Sequence, residues 1–447
     1  MFRKSALTRA LNAWLADGGA LADRLPYSGD SQVCTRGEAK LVCAAIDQAR
    51  ASLKRSGDDR REFDLRRAIS LMQNAQGAEA RDALIRHGLP RLRAIVRERL
   101  ATPGNTAVPV LFALKIIGLY RQPDDVELFL SAVLAPLEPD SYWWTAAFHA
   151  FTFDSPYAQA VISGLSNTLP DRFIRVVYLD CCNSLALEGR LAEHPFASEE
   201  GVARLEQWLT SGDREKASYA VSACTALPFL PASARERLLD IANRHPDTGV
   251  RIEAAWACAK SGIGGGAGSL VEFARDPRHS KLAISYLEET GLAGRVPAEA
   301  RAPDFVAIAE MCNWIAHPNE YGRPPDEIVQ VDTRQLYWPP TGDSRQLWVF
   351  RYRYKKEDGE VDEGQGMIGS VTWVMFGSNT THLSPEDVYG LHCAWEMNQK
   401  NDPPTSPEAS VSAGASNSRK VQSGVRQGVA ADTRRYAARR ATVGLRP

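Results

Sequence analysis

Between residues 104 and 300, apolar side chains recur at helical spacing in short segments separated by turn residues. Residues 106–120 and 126–134 form one expected helix pair, and 142–153 and 157–169 form the next. Segments 172–187 and 199–210 follow, then 213–227 and 233–243. The last pair is 248–261 and 268–275, with one more helix over 281–290. Pro123, Pro139, Pro156, Pro170, Gly212, Pro231, Pro246 and Pro277 break the units. The starts Asp140, Asp171, Asp213 and Asp247 lie roughly 30 to 42 residues apart, the beat of a two-helix repeat. Residues 1–103 also show helical spacing. Residues 6–25 put Leu7, Leu11, Trp14, Leu15 and Leu21 on one side, and 36–53 do the same with Leu41, Val42, Ala45 and Ile46. Residues 63–99 carry the spacing twice, interrupted near Gly88 and Pro90. This region reads as a cap or as the start of the repeats.

The clearest repeat is Asp247 to Gly262. Val250, Ile252, Ala254, Ala255, Ala257, Cys258 and Ala259 are mostly small, which suits closely stacked helices. The stretch resembles the HEAT-type repeat, in the short variety also found in phycobilisome lyases, D-x-x-V-R-x-x-A-A-x-A-L-x-x-x-G. Asp247, Val250, Arg251, Ala254, Ala255, Ala257 and Gly262 match it, and Cys258 stands where a Leu is usual. Residues 213–227 are a weaker copy. The resemblance implies a right-handed α-α superhelix, a HEAT-like solenoid over 104–300, and binding through a concave surface. It implies no ligand, and no bilin site is singled out.

The character changes near residue 304. A helix over 304–316 leads into a Pro-rich loop, and strands follow. Residues 328–337 form the first expected strand and 347–354 the clearest. There Trp348, Phe350, Tyr352 and Tyr354 alternate with Leu347, Val349, Arg351 and Arg353, which predicts a half-buried strand. Residues 357–364 read as a hairpin connection around Asp358-Gly359, and 367–376 as the returning strand. Ser384-Pro-Glu-Asp387 opens a last helix to about residue 397, with Ser at the N-cap and acids in the first turn. Residues 304–400 thus form a small α+β module with an antiparallel hairpin, and they hold half of the chain's 10 Trp. The tail, 401–447, is rich in Ser, Ala, Gly and Arg and reads as disordered.

A net charge of -1 gives no global electrostatic case for a polyanionic partner or surface. No apolar run has the length of a membrane span, and no secretory leader is evident, so a cytoplasmic protein is expected. The 8 Cys are scattered without a C-x-x-C pair, so they are expected to be reduced and without a metal or other cofactor.

Six constellations were candidates for chemistry. Tyr337, Trp338, Trp348 and Tyr352 can line a groove or form a core. His317, Asn319, Glu320, Tyr321, Arg323 and Asp326 cluster acids, a base and an anion holder, but also suit a helix end stopped by Pro318. Asp358, Glu360, Asp362 and Glu363 lack the spacing of a calcium loop and read as a solvated hairpin tip. The glycines of 262–268 lack the Lys of a phosphate loop and read as a turn between helices. Residues 142–153 read as solenoid core, with Trp143, Ala147, Ala150 and Phe151 in one stripe. The basic tail offers a nucleic acid an electrostatic contact of low specificity.

The function expected from these features is a non-enzymatic protein-interaction scaffold with a protein partner. Its candidate binding residues are Tyr321, Arg323, Tyr337, Trp338, Trp348, Arg351 and Arg353. An enzyme or effector site around 317–353 is the alternative, and would bring His317, Glu320 and Arg323 together with Arg351 or Arg353. A nucleic-acid-binding HEAT-like protein is the third reading.

Overall fold

A computed structural model describes residues 5–25, 31–56, 59–101, 108–135, 137, 143–153, 155–170, 172–213, 216–317, 320–356, 359–376 and 380–401. The tail expected to be disordered lies outside them apart from Asn401, as do Pro139, Asp140, Tyr142, Asp171 and Asp358. The chain is mainly helical and ends in a small antiparallel sheet. It divides into two compact units, 1–201 and 202–447.

In the first unit the helices are α1 (Ala6–Asp17), α2 (Leu21–Arg24), α3 (Arg36–Ser56), α4 (Asp59–Ser70), α5 (Ala78–Ala83), α6 (Leu89–Ala101), α7 (Val108–Tyr120), α8 (Asp125–Leu134), α9 (Trp143–Thr152), α10 (Ala158–Ser166) and α11 (Arg172–Leu187). The single helix expected over 6–25 is two, because Gly18 takes φ 69° and closes α1 with its N–H on the Trp14 carbonyl. The interruption expected near Gly88 and Pro90 falls earlier, over 71–77. Pro90 is accommodated instead by a π-helical turn, Leu84–Gly88, running into α6. A Cβ on Gly88 would lie 2.7 Å from Met72 Cε, the mobile end of that side chain. α7 packs on α4, α6 and α9, so contacts continue across residue 103. α9 buries Trp144, Ala147, Phe148, Ala150 and Phe151, with Phe148 against Tyr178 of α11. His149 is exposed and stacks on Phe153.

α12 (Glu199–Leu209) spans the boundary between the units. The second unit continues with α13 (Ala217–Ala226), α14 (Ala232–Asn243), α15 (Thr248–Lys260), α16 (Gly266–Ala274), α17 (Ser280–Glu289) and α18 (Pro303–Ile315). α15 is the helix expected over 248–261. Asp247 caps it by accepting from the Val250 N–H at 3.0 Å, and the helix is buried from Ile252 to Cys258. Its small residues admit α16 so closely that a Cβ on Gly266 would stand 2.6 Å from the Ala259 nitrogen. The larger polar groups are paired inside: buried Tyr286 of α17 donates to buried Glu253, and Trp256 Nε1 donates to Glu289 at 3.2 Å.

The sheet follows as a meander of β1 (Glu327–Trp338), β2 (Asp343–Lys355), β3 (Val361–Ile368) and β4 (Thr372–Phe376), in that spatial order and antiparallel throughout. α19 (Pro385–Asn401) closes the chain's described part. Ser384 accepts from the Asp387 N–H, and the Asp387 carboxylate accepts from the Ser384 N–H, each at 3.2 Å. Two sequence expectations are corrected here. The returning strand over 367–376 is two strands, broken at Gly369–Val371. Asp362 and Glu363 lie within β3, not at a hairpin tip, because pairing with β2 starts at Val361.

Candidate functional site

The aromatic module is built around β2, which is buried on both faces rather than half-buried. Phe350, Tyr352 and Tyr354 meet Ala307, Met311 and Ile315 of α18. On the opposite face Leu347 and Val349 join Trp338, Met367 and Val388 and Tyr389 of α19. The aliphatic half of the alternation is thus as much core as the aromatic half. Arg351 lies part-buried on the α19 side and donates to the Thr381 carbonyl at 3.1 Å. Arg353, further along the same face, is exposed and pairs with Glu363 and Glu327 across the neighbouring strands.

An irregularity in β1 changes which face its side chains serve. Gln330 pairs with Phe350, but Asp332 pairs with Val349, so Val331 is an extra residue in the ladder. Before it, Ile328 reaches the α18 core, opposite Tyr352. After it, Leu336 and Trp338 reach the α19 core. Glu327, Val329, Val331, Thr333, Gln335 and Tyr337 are exposed, and Gln330, Asp332 and Arg334 are half-buried.

Most candidate residues are committed to this framework. Tyr321 stacks on Tyr354 at 3.8 Å and donates to Asp362 at 2.6 Å. Burial and the Asp362 carboxylate raise its phenol pKa. Arg323 grips Asp326 with two bonds of 3.0 Å, donates to the Lys355 carbonyl at 3.1 Å and lies over the Tyr354 ring. That guanidinium holds the Asp326 carboxyl below its usual range. Trp348 donates to Asp304 at 2.7 Å. Trp338 is buried, and its Nε1 donates to Glu396 at 3.0 Å. Tyr337 alone of the candidate aromatics stands clear, at 68% exposure.

The two β2 arginines of the enzymatic reading, Arg351 and Arg353, lie on the face of the strand opposite the one that packs on α18. His317, Glu320 and Tyr321 sit in the turn after α18, and Glu320 N–H donates to the His317 carbonyl at 2.8 Å. Burial raises the Glu320 carboxyl pKa. Tyr321 belongs with the α18 face, whereas Arg351 and Arg353 alternate onto the other side of β2.

The sequence reading passes over two buried polar groups of α19. His392 and Glu396 share a face with Val388, and the i,i+4 spacing is the signal for it. His392 Nε2 lies 2.9 Å from Glu396 Oε1, Ser370 also donates to that carboxylate, and the imidazole stacks between Trp338 and Trp395. Burial lowers the His392 pKa against the opposing pull of Glu396. Both oxygens of this carboxylate are thus engaged, Oε2 by Trp338 and Oε1 by His392 and Ser370.

The Gly-rich turn lines a cavity of about 370 Å³ with Asn243, Arg251, Cys258, Ser269 and Phe273. Among the described residues, no group of His, Cys, Asp and Glu side chains is arranged to hold a metal, and no helix is long and apolar enough to cross a membrane. No disulfide links the cysteines among the described residues, and Cys43, Cys182, Cys224, Cys258 and Cys312 are buried. No protein-family model matches the chain, and no curated protein matches it.

Proposed function

We propose that this chain is a protein-interaction scaffold, with HEAT-like repeats and the aromatic module both presenting surface to a partner protein. The placement of exposed apolar side chains supports this reading. Among the described residues, ten of the fourteen exposed large hydrophobics fall between Val306 and Met397. On α19, Leu391 and Trp395 stand one turn apart at 49% and 40% exposure, outside the core that Val388 and Tyr389 fill. On α18, Trp314 is 42% exposed. Apolar side chains exposed together on one helix, as Leu391 and Trp395 are on α19, suit recognition, because their transfer out of water is the main driving force of association.

The test is affinity capture with the full chain and with its Leu391→Lys/Trp395→Lys variant, read by mass spectrometry. A protein retained by the parent chain and lost by the variant is expected, with the far-UV dichroism of the two unchanged. Identical recoveries from both would sink the assignment of recognition to this surface.

A further inference from the structure

β1 is an edge strand of 12 residues. Its inner side pairs with β2, and among the described residues no backbone hydrogen bond reaches the outer side from Glu327 to Tyr337. Edge strands are ordinarily kept from pairing by shortness, charge, proline or a bulge; β1 carries the bulge at Val331, but its ladder with β2 resumes at Asp332 and runs to Trp338. β4, at the other edge, is 5 residues long. β1 has neither lysine nor proline, and its outward positions Val329, Val331, Thr333, Gln335 and Tyr337 are uncharged strand formers or neutral polar residues. Val329 and Tyr337, at 63% and 68%, are the most exposed large hydrophobics among the described residues.

We propose that β1 is a homodimerisation strand, two copies of the chain pairing antiparallel along this edge with Thr333 opposite Thr333. The charges select both the partner and the register. With Thr333 at the centre, Asp332 of each copy faces Arg334 of the other. Moving the centre to Asp332 or to Arg334 would set like charges opposite each other, which is unfavourable. Within one copy Arg334 is already drawn to Asp332 at 2.6 Å and to Glu386 at 2.6 Å, so a second set of these groups extends an existing alternation of sign.

The flanks agree with the same register. If Val331 stays outside the ladder on both copies, as it does against β2, Gln330 faces Gln335 of the second copy. Val329 then faces Leu336 and Ile328 faces Tyr337. Each of these pairs lies on a common face, because the bulge changes the parity of both strands together. The two most exposed apolar side chains are covered, and the two sheets of four strands become continuous. This inference does not depend on the scaffold reading, since it needs no partner other than the chain itself. A single strand pair buries less than the about 1,200 Å² of a standard interface, so a weak, concentration-dependent dimer is expected.

The experiment is sedimentation velocity on the full chain over about a hundredfold concentration range, a span that brackets a shift of roughly 2.7 kcal/mol in association. A shift from monomer to dimer is expected, and Val329→Lys/Tyr337→Lys should abolish it; both positions are exposed, so the fold is kept. Register is read separately by disulfide trapping in a Cys34→Ser background, which removes the exposed thiol. Thr333→Cys should cross-link symmetrically, since directly opposed Cα atoms lie within disulfide range, and Gln335→Cys should not. A chain that stays monomeric throughout, with Thr333→Cys uncrosslinked, overturns the proposal and leaves the edge to an extended peptide of another protein. A dimer untouched by the lysine variant overturns it equally.

Discussion

His194 gives the first unit a stability that depends on pH, and the sign follows from its two hydrogen bonds. The ring is 3% exposed. Its Nδ1 accepts the Phe196 N–H at 3.2 Å, and its Nε2 lies 3.1 Å from Asn183 Oδ1, so the neutral ring with its proton on Nε2 fits the site. A second proton would have to sit on Nδ1, where a backbone N–H already points. Burial accordingly depresses the pKa from 6.5 to about 4. Above pH 6.5 the group is neutral folded and unfolded, and contributes no slope. Below it the unfolded chain takes up a proton that the folded chain refuses, so stability falls as pH falls, and the loss is complete near pH 4. Over that window the loss is roughly 3 kcal/mol. The assay is pulsed hydrogen exchange of the α11 amides across a urea series at several pH values, for the parent chain and for His194→Asn. The asparagine keeps an acceptor for Phe196 and cannot titrate. The parent should lose roughly 3 kcal/mol more than the variant between pH 6.5 and 4. Parallel curves for the two would refute the argument.

Other substitutions probe packing and pairing. Asp125 is 1% exposed and held by Arg93 at 2.6 and 3.0 Å, so Arg93→Ala should cost about 3 kcal/mol in urea unfolding by stranding a buried carboxylate. Gly266→Ala drives a Cβ into the backbone of α15 and should cost about 2 kcal/mol or more. Gly268→Ala, two residues on in open space, should be neutral or stabilise by about 0.5 kcal/mol, and thermal melts of the two variants measure both. Removing the α15 cap with Asp247→Ala should cost about 1 kcal/mol, read by the same melts.

The helical rhythm of this chain is legible because its breakers act locally. Arg172–Leu187 forms over the span its sequence predicts, and Asp247 caps α15 as its position before Val250 suggests. Misreadings arise where local and distant forces compete. Pro90 looks like a stop, yet the chain absorbs it in a π turn because Leu84 and Leu89 are both fully buried on either side. On β2 the contrast of aromatic with aliphatic positions suggests one wet face, but Leu347 and Val349 have the same demand for burial as Phe350 and Tyr352. Their cover comes from α19, distant in sequence, together with Trp338 and Met367 of the neighbouring strands. The candidate residues follow the same logic. Trp338 and Tyr321 are legible as important aromatics, whereas the groups that fix them, Glu396 and Asp362, lie 58 and 41 residues away.

The extra residue in β1 has a consequence for how the C-terminal module holds together. Because Val331 shifts the alternation, one strand supplies Ile328 to the α18 core and Trp338 to the α19 core. Neither helix therefore has a private sheet to dock on. Loosening one core frees the strand that the other needs, so the two layers should melt as one cooperative body. An insertion or deletion of a single residue between Ile328 and Trp338 would exchange inward and outward positions on one side of it. Such a change should disable both layers at once, although it touches only the rim of the sheet.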